Sequence, residues 1–250
     1  MNLYSAINAW CYLLVLLLIT PDFALATTSG VPGASVREGD RSAEYRTSYR
    51  PSEGSRPASF NHRFHYQQSL NDKLRIRGIV QYVDGPSQDV ETQWFRVEGF
   101  WQYSKHPNGN AAALRLDLQK SDSSNATDFA RLNWIGERKF GALNARLNLL
   151  VGKEFGDRAR NGLSMGSRFE FSLRTESGLK YGLQYLNTLN TTSDFGSFDE
   201  QRHEIGPMLE YKTGDWGLFG SYLAGVSNAA PDAAVRFSLT HKIRPSKRYQ

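Results

Sequence analysis

The sequence is almost without cysteine, since Cys11 is the only one among its 250 residues. Cys11 also falls within an apolar N-terminal stretch that we expect to be removed on export. A chain without cysteine has no disulfide scaffold, no thiol nucleophile and no cysteine-ligated metal. The sequence therefore excludes these three classes of site from the predicted mature protein.

Long apolar runs are equally scarce, and the one that stands out is aliphatic at residues 13–19, close to the start of the chain. Such a run is too short for a transmembrane helix, which needs about 20 apolar residues, but it matches the core of a secretory signal peptide. Ala24-Leu25-Ala26 supplies the small residues of a cleavage site, and polar residues follow directly. We therefore predict a signal peptide at residues 1–26 rather than an N-terminal membrane anchor.

What the sequence has in abundance is an alternation of apolar and polar residues with a period of two. Residues 112–119 read Ala-Ala-Leu-Arg-Leu-Asp-Leu-Gln, and residues 166–174 follow the same rule. Because successive side chains of a β-strand point to opposite faces, each such segment has one apolar and one polar face. The alternation predicts about twelve strands, near 41–50, 59–68, 73–83, 92–104, 111–119, 128–135, 142–154, 163–175, 179–189, 202–212, 216–226 and 233–243.

The breaks between these predicted strands alternate in length. Short breaks such as 69–72 and 176–178 are followed by longer ones such as 84–91 and 190–201. Outer-membrane barrels alternate short periplasmic turns with longer extracellular loops, and aromatic residues near strand ends form girdles at the two membrane interfaces. The sequence thus predicts an all-β fold, a transmembrane antiparallel up-and-down β-barrel of about twelve strands in the Gram-negative outer membrane. A soluble β-sandwich, which also alternates, is the alternative.

The predicted barrel, residues 41–243, has a segment on either side. We expect residues 27–40 to be a flexible periplasmic N-terminal lead-in and residues 244–250 to be a basic C-terminal tail. The location implies outer-membrane lipid, lipopolysaccharide and the outer-membrane assembly machinery as partners. Nucleic acid is not an expected partner of an exported chain, although the formal net charge is +5.

Arginine dominates the basic residues, with 21 arginines against 9 lysines. The phase of the apolar positions places many arginines on the lumen face, together with Arg46, Arg50, Lys180 and Lys242. Fewer acidic residues share that face, namely Glu44, Glu98, Asp117, Glu170, Glu204 and Glu210. The predicted pore-lining, substrate-binding residues are Arg63, Arg75, Arg77, Arg96, Arg115, Arg131, Arg146, Arg168, Arg174, Arg202 and Arg236.

An arginine-rich lumen predicts a path for anions. Guanidinium groups offer planar, paired donors to carboxylates, and a closed wall of low dielectric focuses their positive potential. The alternative is a lumen that is sealed by arginine–glutamate networks, as in small plugged barrels.

The strand number, the mature length and two strand openings resemble the oligogalacturonate-specific porin family. The openings are Ala43-Glu44-Tyr45-Arg46 and Phe60-Asn61-His62-Arg63-Phe64. The resemblance implies a monomeric outer-membrane channel for acidic oligosaccharides, with arginines that line the pore. One departure is that the chain does not end on an aromatic residue, since residues 244–250 follow the last predicted strand.

Catalytic motifs are weak. His106-Pro107-Asn108-Gly109 lacks the serine of the His-x-Ser-Asn-Gly motif of outer-membrane phospholipases and is typical of a turn. His62 and His65 stand three apart on a strand, so they face opposite sides and cannot share a metal. We therefore predict no catalytic residues, no metal site, no cofactor and no enzymatic activity.

Together these observations predict a passive outer-membrane channel, a porin, for small anionic solutes, among them the acidic oligosaccharides that the resemblance implies. One alternative is a closed structural or surface-interaction barrel, whose lumen is sealed by ion pairs and whose loops, especially residues 190–201, make the contacts. A less favoured alternative is an outer-membrane hydrolase.

Overall fold

The computed structural model describes residues 30–52, 58–85, 88–122 and 127–244, which form a closed antiparallel barrel. Its twelve strands are β1 (Arg41–Arg50), β2 (Ser59–Ser69), β3 (Leu74–Gly85), β4 (Gln88–Lys105), β5 (Ala111–Ser121), β6 (Asp128–Phe140), β7 (Leu143–Phe155), β8 (Ser164–Arg174), β9 (Leu179–Thr191), β10 (Arg202–Thr213), β11 (Trp216–Gly225) and β12 (Ala233–Lys242). Each strand pairs with its sequence neighbours, and β1 pairs with β12 to close the sheet. The predicted fold class is confirmed.

A short 3-10 helix, Phe198–Glu200, lies in the loop between β9 and β10. No helix in the described ranges is long and apolar enough to cross a membrane. The predicted signal peptide, with Cys11, lies outside the described residues. Of the predicted basic tail only Arg244 is described, and its guanidinium pairs with Asp215 at 2.7 Å.

The two faces of the barrel follow the alternation in the sequence. On β6, Leu132 is 50% exposed on the outside, whereas Asn133 on the inside is 1% exposed. Polar and charged residues such as Arg115, Glu170 and Arg236 are buried in the interior. Apolar residues form a band on the outer surface, among them Val97, Leu116, Leu118, Leu149, Val151, Phe171 and Leu183. A single closed sheet with an apolar outside and a charged inside is suited to a bilayer, so the soluble sandwich is wrong.

Aromatic residues cluster on the outer surface at both ends of the strands. At one end the Trp134 indole donates to the Tyr103 hydroxyl at 2.8 Å, and Tyr103 packs on Trp101 with ring centroids 5.8 Å apart. At the other end Tyr49 packs on Phe60, with ring centroids 4.6 Å apart. This arrangement is that of the two aromatic girdles of membrane barrels.

The β6–β7 turn is shorter than predicted. The sequence predicted a turn over residues 136–141, but Phe140 pairs with Leu143, and a tight turn of two residues joins the strands. Gly141 provides the positive φ of 61° that this turn requires. Gly136 is glycine for another reason: a Cβ there would lie 2.6 Å from the Trp134 ring.

Residues 30–40 also differ from their prediction as a flexible periplasmic lead-in. Asp40 lies at the barrel rim, where its carbonyl accepts from the Ser69 amide at 2.8 Å and its carboxylate pairs with Lys242 at 2.9 Å. On the N-terminal side of Asp40 the chain runs inside the lumen, where Ala34 and Val36 are buried. A barrel of eight strands is just filled by its own side chains, so one of twelve has room for such a segment.

Candidate functional site: a cationic cavity in the lumen

A cavity of about 570 Å³ extends into the lumen from the rim at Asp40, Asp215 and Lys242. Its wall carries thirteen lysines and arginines against six aspartates and glutamates. The cavity reaches Arg63, Arg96 and Arg168, which lie near the middle of their strands. The wall is therefore strongly cationic both at the rim and near the middle of the strands.

Six of the predicted lumen arginines bind carboxylates. Asp117 holds two of them, with Arg115 at 2.6 Å and Arg131 at 2.9 Å. The other pairs are Arg77 with Glu98 at 2.5 Å, Arg146 with Glu137 and Glu170 at 3.2 Å, Arg174 with Glu210 at 3.1 Å and Arg202 with Glu204 at 2.8 Å. The positive charges of these six groups are neutralised in large part, as predicted for a lumen that is sealed by arginine–glutamate networks.

Two of the other predicted arginines, Arg63 and Arg168, use uncharged acceptors. Within the described ranges, Arg63, Arg75 and Arg168 have no carboxylate within 4 Å. Arg63 donates to the Gln81 amide oxygen at 2.5 Å, and Arg168 donates to the Gly30 carbonyl at 3.0 Å. Neutral acceptors satisfy the N–H groups but leave the positive charge in place.

Two further arginines, Arg96 and Arg236, donate their short hydrogen bonds to neutral groups. Arg96 lies 3.8 Å from Glu98 but donates at 2.6 Å to Gln119. Arg236 donates to the Ser221 hydroxyl at 2.7 Å and to the Gln184 amide oxygen. These contacts hold both guanidinium groups in the lumen.

Four of the arginines that line the cavity, Arg46, Arg63, Arg96 and Arg168, are close enough to repel one another electrostatically. Arg46 lies opposite Arg63 in the β1–β2 register, and Arg63 is within electrostatic reach of Arg96 and Arg168. Arg46 is paired with Glu44 at 2.7 Å. Because β8 lies across the barrel from β2, Arg168 brings its charge to this group from the opposite wall. Such a group can bind a carboxylate or phosphate from several sides.

Aromatic rings hold some of these arginines in place. Trp94 lies between Arg63 and Arg96, whose guanidinium carbons are 4.7 Å and 4.2 Å from its ring centroid. Phe129 lies in the same way beside Arg96 and Arg131, each at 4.9 Å. Sequence reasoning missed both rings, although each shares the parity of an arginine two residues away. Cation–π contacts fix the planes of the guanidinium groups without neutralising them.

Glu137 is another lumen residue that sequence reasoning missed. Its carboxylate binds Arg146 and accepts from the Ala34 amide at 3.1 Å. The predicted turn at residues 136–141 concealed it, because the strand continues to Phe140. Its parity with Asn133, which faces the lumen, is the signal that could have revealed it.

At the end of the barrel that carries the longer loops, one sector of the lumen is apolar. Leu186, Leu223 and Ala234 form a buried cluster, and Met208 is buried as well. The loop between β11 and β12 adds Ala230 to this sector. Buried apolar side chains thus fill part of the lumen on the side of β9 to β12.

His62 and His65 lie on opposite faces of the barrel wall, as predicted. The His62 ring is on the outside, 2.7 Å from the Tyr45 hydroxyl, whereas His65 is buried in the lumen and lies 3.6 Å from Glu44. In the described part of the chain, no group of three histidine or carboxylate residues could hold a metal ion.

The closed barrel, apolar outside and charged inside, has the fold of bacterial outer-membrane β-barrel proteins. An outer membrane channel from Pseudomonas putida F1 superposes with a TM-score of 0.63 at 9% identity, over 86% of this chain and 100% of that chain. KdgM porin superposes with a TM-score of 0.58 at 11% identity, over 81% of this chain and 99% of that chain. The predicted resemblance to oligogalacturonate porins is confirmed for the fold.

The same porin in complex with disordered oligogalacturonate superposes equally, with a TM-score of 0.58 at 12% identity, over 81% of this chain and 99% of that chain. At these identities the similarity shows a shared fold. No family model matches the sequence, and no curated protein matches it.

Proposed function

We propose that this protein is a passive outer-membrane channel that passes small anionic solutes. The supporting observation is the excess of cationic groups on the cavity wall, thirteen against six. Charges that a low-dielectric wall surrounds act on ions with little screening, so this excess draws anions inward and repels cations.

The acceptors of the arginines support the same proposal. The partners of Arg63 and Arg168 are an amide oxygen and a backbone carbonyl, which a solute carboxylate can replace. Hydrogen bonds from a guanidinium to a carboxylate are roughly twice as strong as those between neutral groups. Arginines near the middle and at the rim of the lumen would pass such a solute from one to the next.

Acidic oligosaccharides are the solute class that we propose. They carry a carboxylate on each sugar, which suits arginines on several walls of one cavity. KdgM porin, which has the same fold, has been solved in complex with disordered oligogalacturonate. The named structural neighbours are channels, and the proposal includes no catalytic role. The protein would act as a monomer among outer-membrane lipid and lipopolysaccharide, after insertion by the assembly machinery.

A closed barrel with a structural or surface role is the second candidate. The ion pairs around Asp117 and the apolar cluster of Leu186, Leu223 and Ala234 favour it, because both fill lumen space. The two candidates differ in whether the membrane conducts when the protein is present.

Planar bilayers with the refolded protein separate these candidates. We expect stepwise conductance in KCl, and a stronger block by oligogalacturonate than by a neutral glucose oligomer of equal length. The double variant Arg63→Gln/Arg168→Gln loses this difference, whereas Lys120→Gln, which removes one charge from an exposed side chain outside the lumen, keeps it. Absence of conductance supports the closed barrel, and equal block by both sugars contradicts anion selectivity.

A further inference from the structure

The segment at residues 30–36 follows a track of lumen side chains on four strands. The Val36 amide donates to Gln102 on β4 at 2.7 Å, and the Ala34 amide donates to Glu137 on β6 at 3.1 Å. Farther along, Asn148 on β7 donates to the Pro32 carbonyl at 3.2 Å, and Arg168 on β8 donates to the Gly30 carbonyl. The contacts fall on every second residue, as in an extended strand.

The side chains of the segment fit a recess in the wall. Ala34 and Val36 pack into one apolar cluster with Phe100, Ala111, Ala113 and Ile135, and Ala34 is 0% exposed. The small residues of β5 make the space for this contact. Buried apolar packing and paired backbone groups together describe a docked segment rather than a loose one.

Gly33 shows how closely the segment approaches the wall. A Cβ at this position would lie 2.7 Å from a Glu137 carboxylate oxygen and 3.0 Å from an Arg146 nitrogen. A larger residue would therefore require the segment or these two side chains to shift.

We propose that residues 30–36 form a resident plug that sets the bore and the solute specificity of the channel, an inference that rests on the proposed function. Gly30, Val31 and Pro32 line the cationic cavity, so the plug is one of its walls. The plug also accepts one N–H of Arg168, one of the arginines without a carboxylate partner, while Arg168 still lines the cavity. Displacing the plug widens the path and releases that N–H for a solute.

A cysteine pair tests the position of the plug in the full chain. Ala34→Cys with Ala113→Cys joins two members of the buried cluster, and we expect a disulfide on mild oxidation. The matched control is Ala34→Cys with Ala112→Cys, because residue 112 lies one place along β5 and points to the other face. Equal cross-linking of the two pairs, or none in either, overturns the docked position.

Conductance tests the role of the plug. Ala34→Asp places a charge in the apolar recess and should displace the segment, which raises the single-channel conductance roughly twofold. Ser35→Asp adds the same charge to the same segment, but Ser35 is exposed, so the segment should stay docked and the conductance should not rise. The oxidised Ala34→Cys/Ala113→Cys protein should also conduct as the wild type does.

The outcomes separate the plug from the channel. Equal conductance of Ala34→Asp and Ser35→Asp, with the cross-link formed, overturns the plug and leaves the channel function standing. No conductance from any variant, with the cross-link formed, overturns the channel function and with it the role of the plug.

Discussion

At the scale of single residues, the lumen arginines divide by the charge of their acceptors. Arg115 and Arg131 share a buried carboxylate, whereas Arg63 and Arg168 bind neutral oxygens. A buried ion pair holds its members in place, since breaking it leaves an uncompensated charge. The first group therefore stabilises the wall, and the second adds to its net positive charge.

Glu98 is a buried carboxylate whose loss should destabilise the barrel. It binds Arg77 and lies within 4 Å of Arg96 and Arg115, and it is 3% exposed. Glu98→Ala leaves three guanidinium groups without a shared counter-charge, so we expect a loss of about 3 kcal/mol in the free energy of unfolding. Urea titration in lipid vesicles, followed by tryptophan fluorescence, measures it. Lys120→Ala, a control at an exposed ion pair, should leave the midpoint unchanged, and an equal shift would contradict this role of Glu98.

Gly182 tests how closely β8 and β9 approach one another. A Cβ on Gly182 would lie 2.0 Å from the Phe171 carbonyl oxygen, and nothing flexible there can yield. Gly182→Ala should therefore prevent the barrel from closing, which unheated gel electrophoresis detects as loss of the compact band. Gly78→Ala is the control, because no atom lies within 4 Å of its Cβ position. A compact band from both variants would contradict the argument.

At the scale of elements, the strands could be predicted because their signal is local. The period of two fixes which residues face the lumen, and seven of the eleven predicted arginines line the cavity. The segment at residues 30–40 could not be predicted in this way. Its partners Gln102 and Glu137 are 66 and 103 residues away from the amides that they bind. From the sequence alone, small and polar residues predict a loop. Only the closed barrel shows the lumen wall against which these residues pack.

The lipid-facing band predicts that a charged substitution destabilises the barrel more near the centre of the bilayer than near its surface. Leu132 and Phe140 lie on the same outer face of β6, the first nearer the strand centre and the second at its end. Leu132→Arg should lower the free energy of unfolding by about 2–4 kcal/mol, and Phe140→Arg by at most about 1 kcal/mol. Urea titration in vesicles compares the two variants. Equal costs would contradict the placement of β6 across the bilayer.

At the scale of the whole molecule, the site is a property of the closed barrel. Some ion pairs are visible in the sequence, since Arg115 and Asp117 stand two apart on one strand and so share a face. Others are not, because the Arg146–Glu170 pair depends on the register of β7 and β8. The sequence could therefore predict an arginine-rich lumen, but not which arginines are left without a carboxylate. That distinction appears only when all twelve strands are in place.

The reversal potential of the refolded protein in a planar bilayer across a KCl gradient tests the central claim most directly. The cationic wall predicts a potential of the sign that chloride selectivity gives. Arg63→Gln/Arg168→Gln should move it toward zero, and Lys120→Gln should leave it as in the wild type. A potential of the opposite sign in the wild type, or one that the double variant leaves unchanged, would contradict an arginine-lined path for anions.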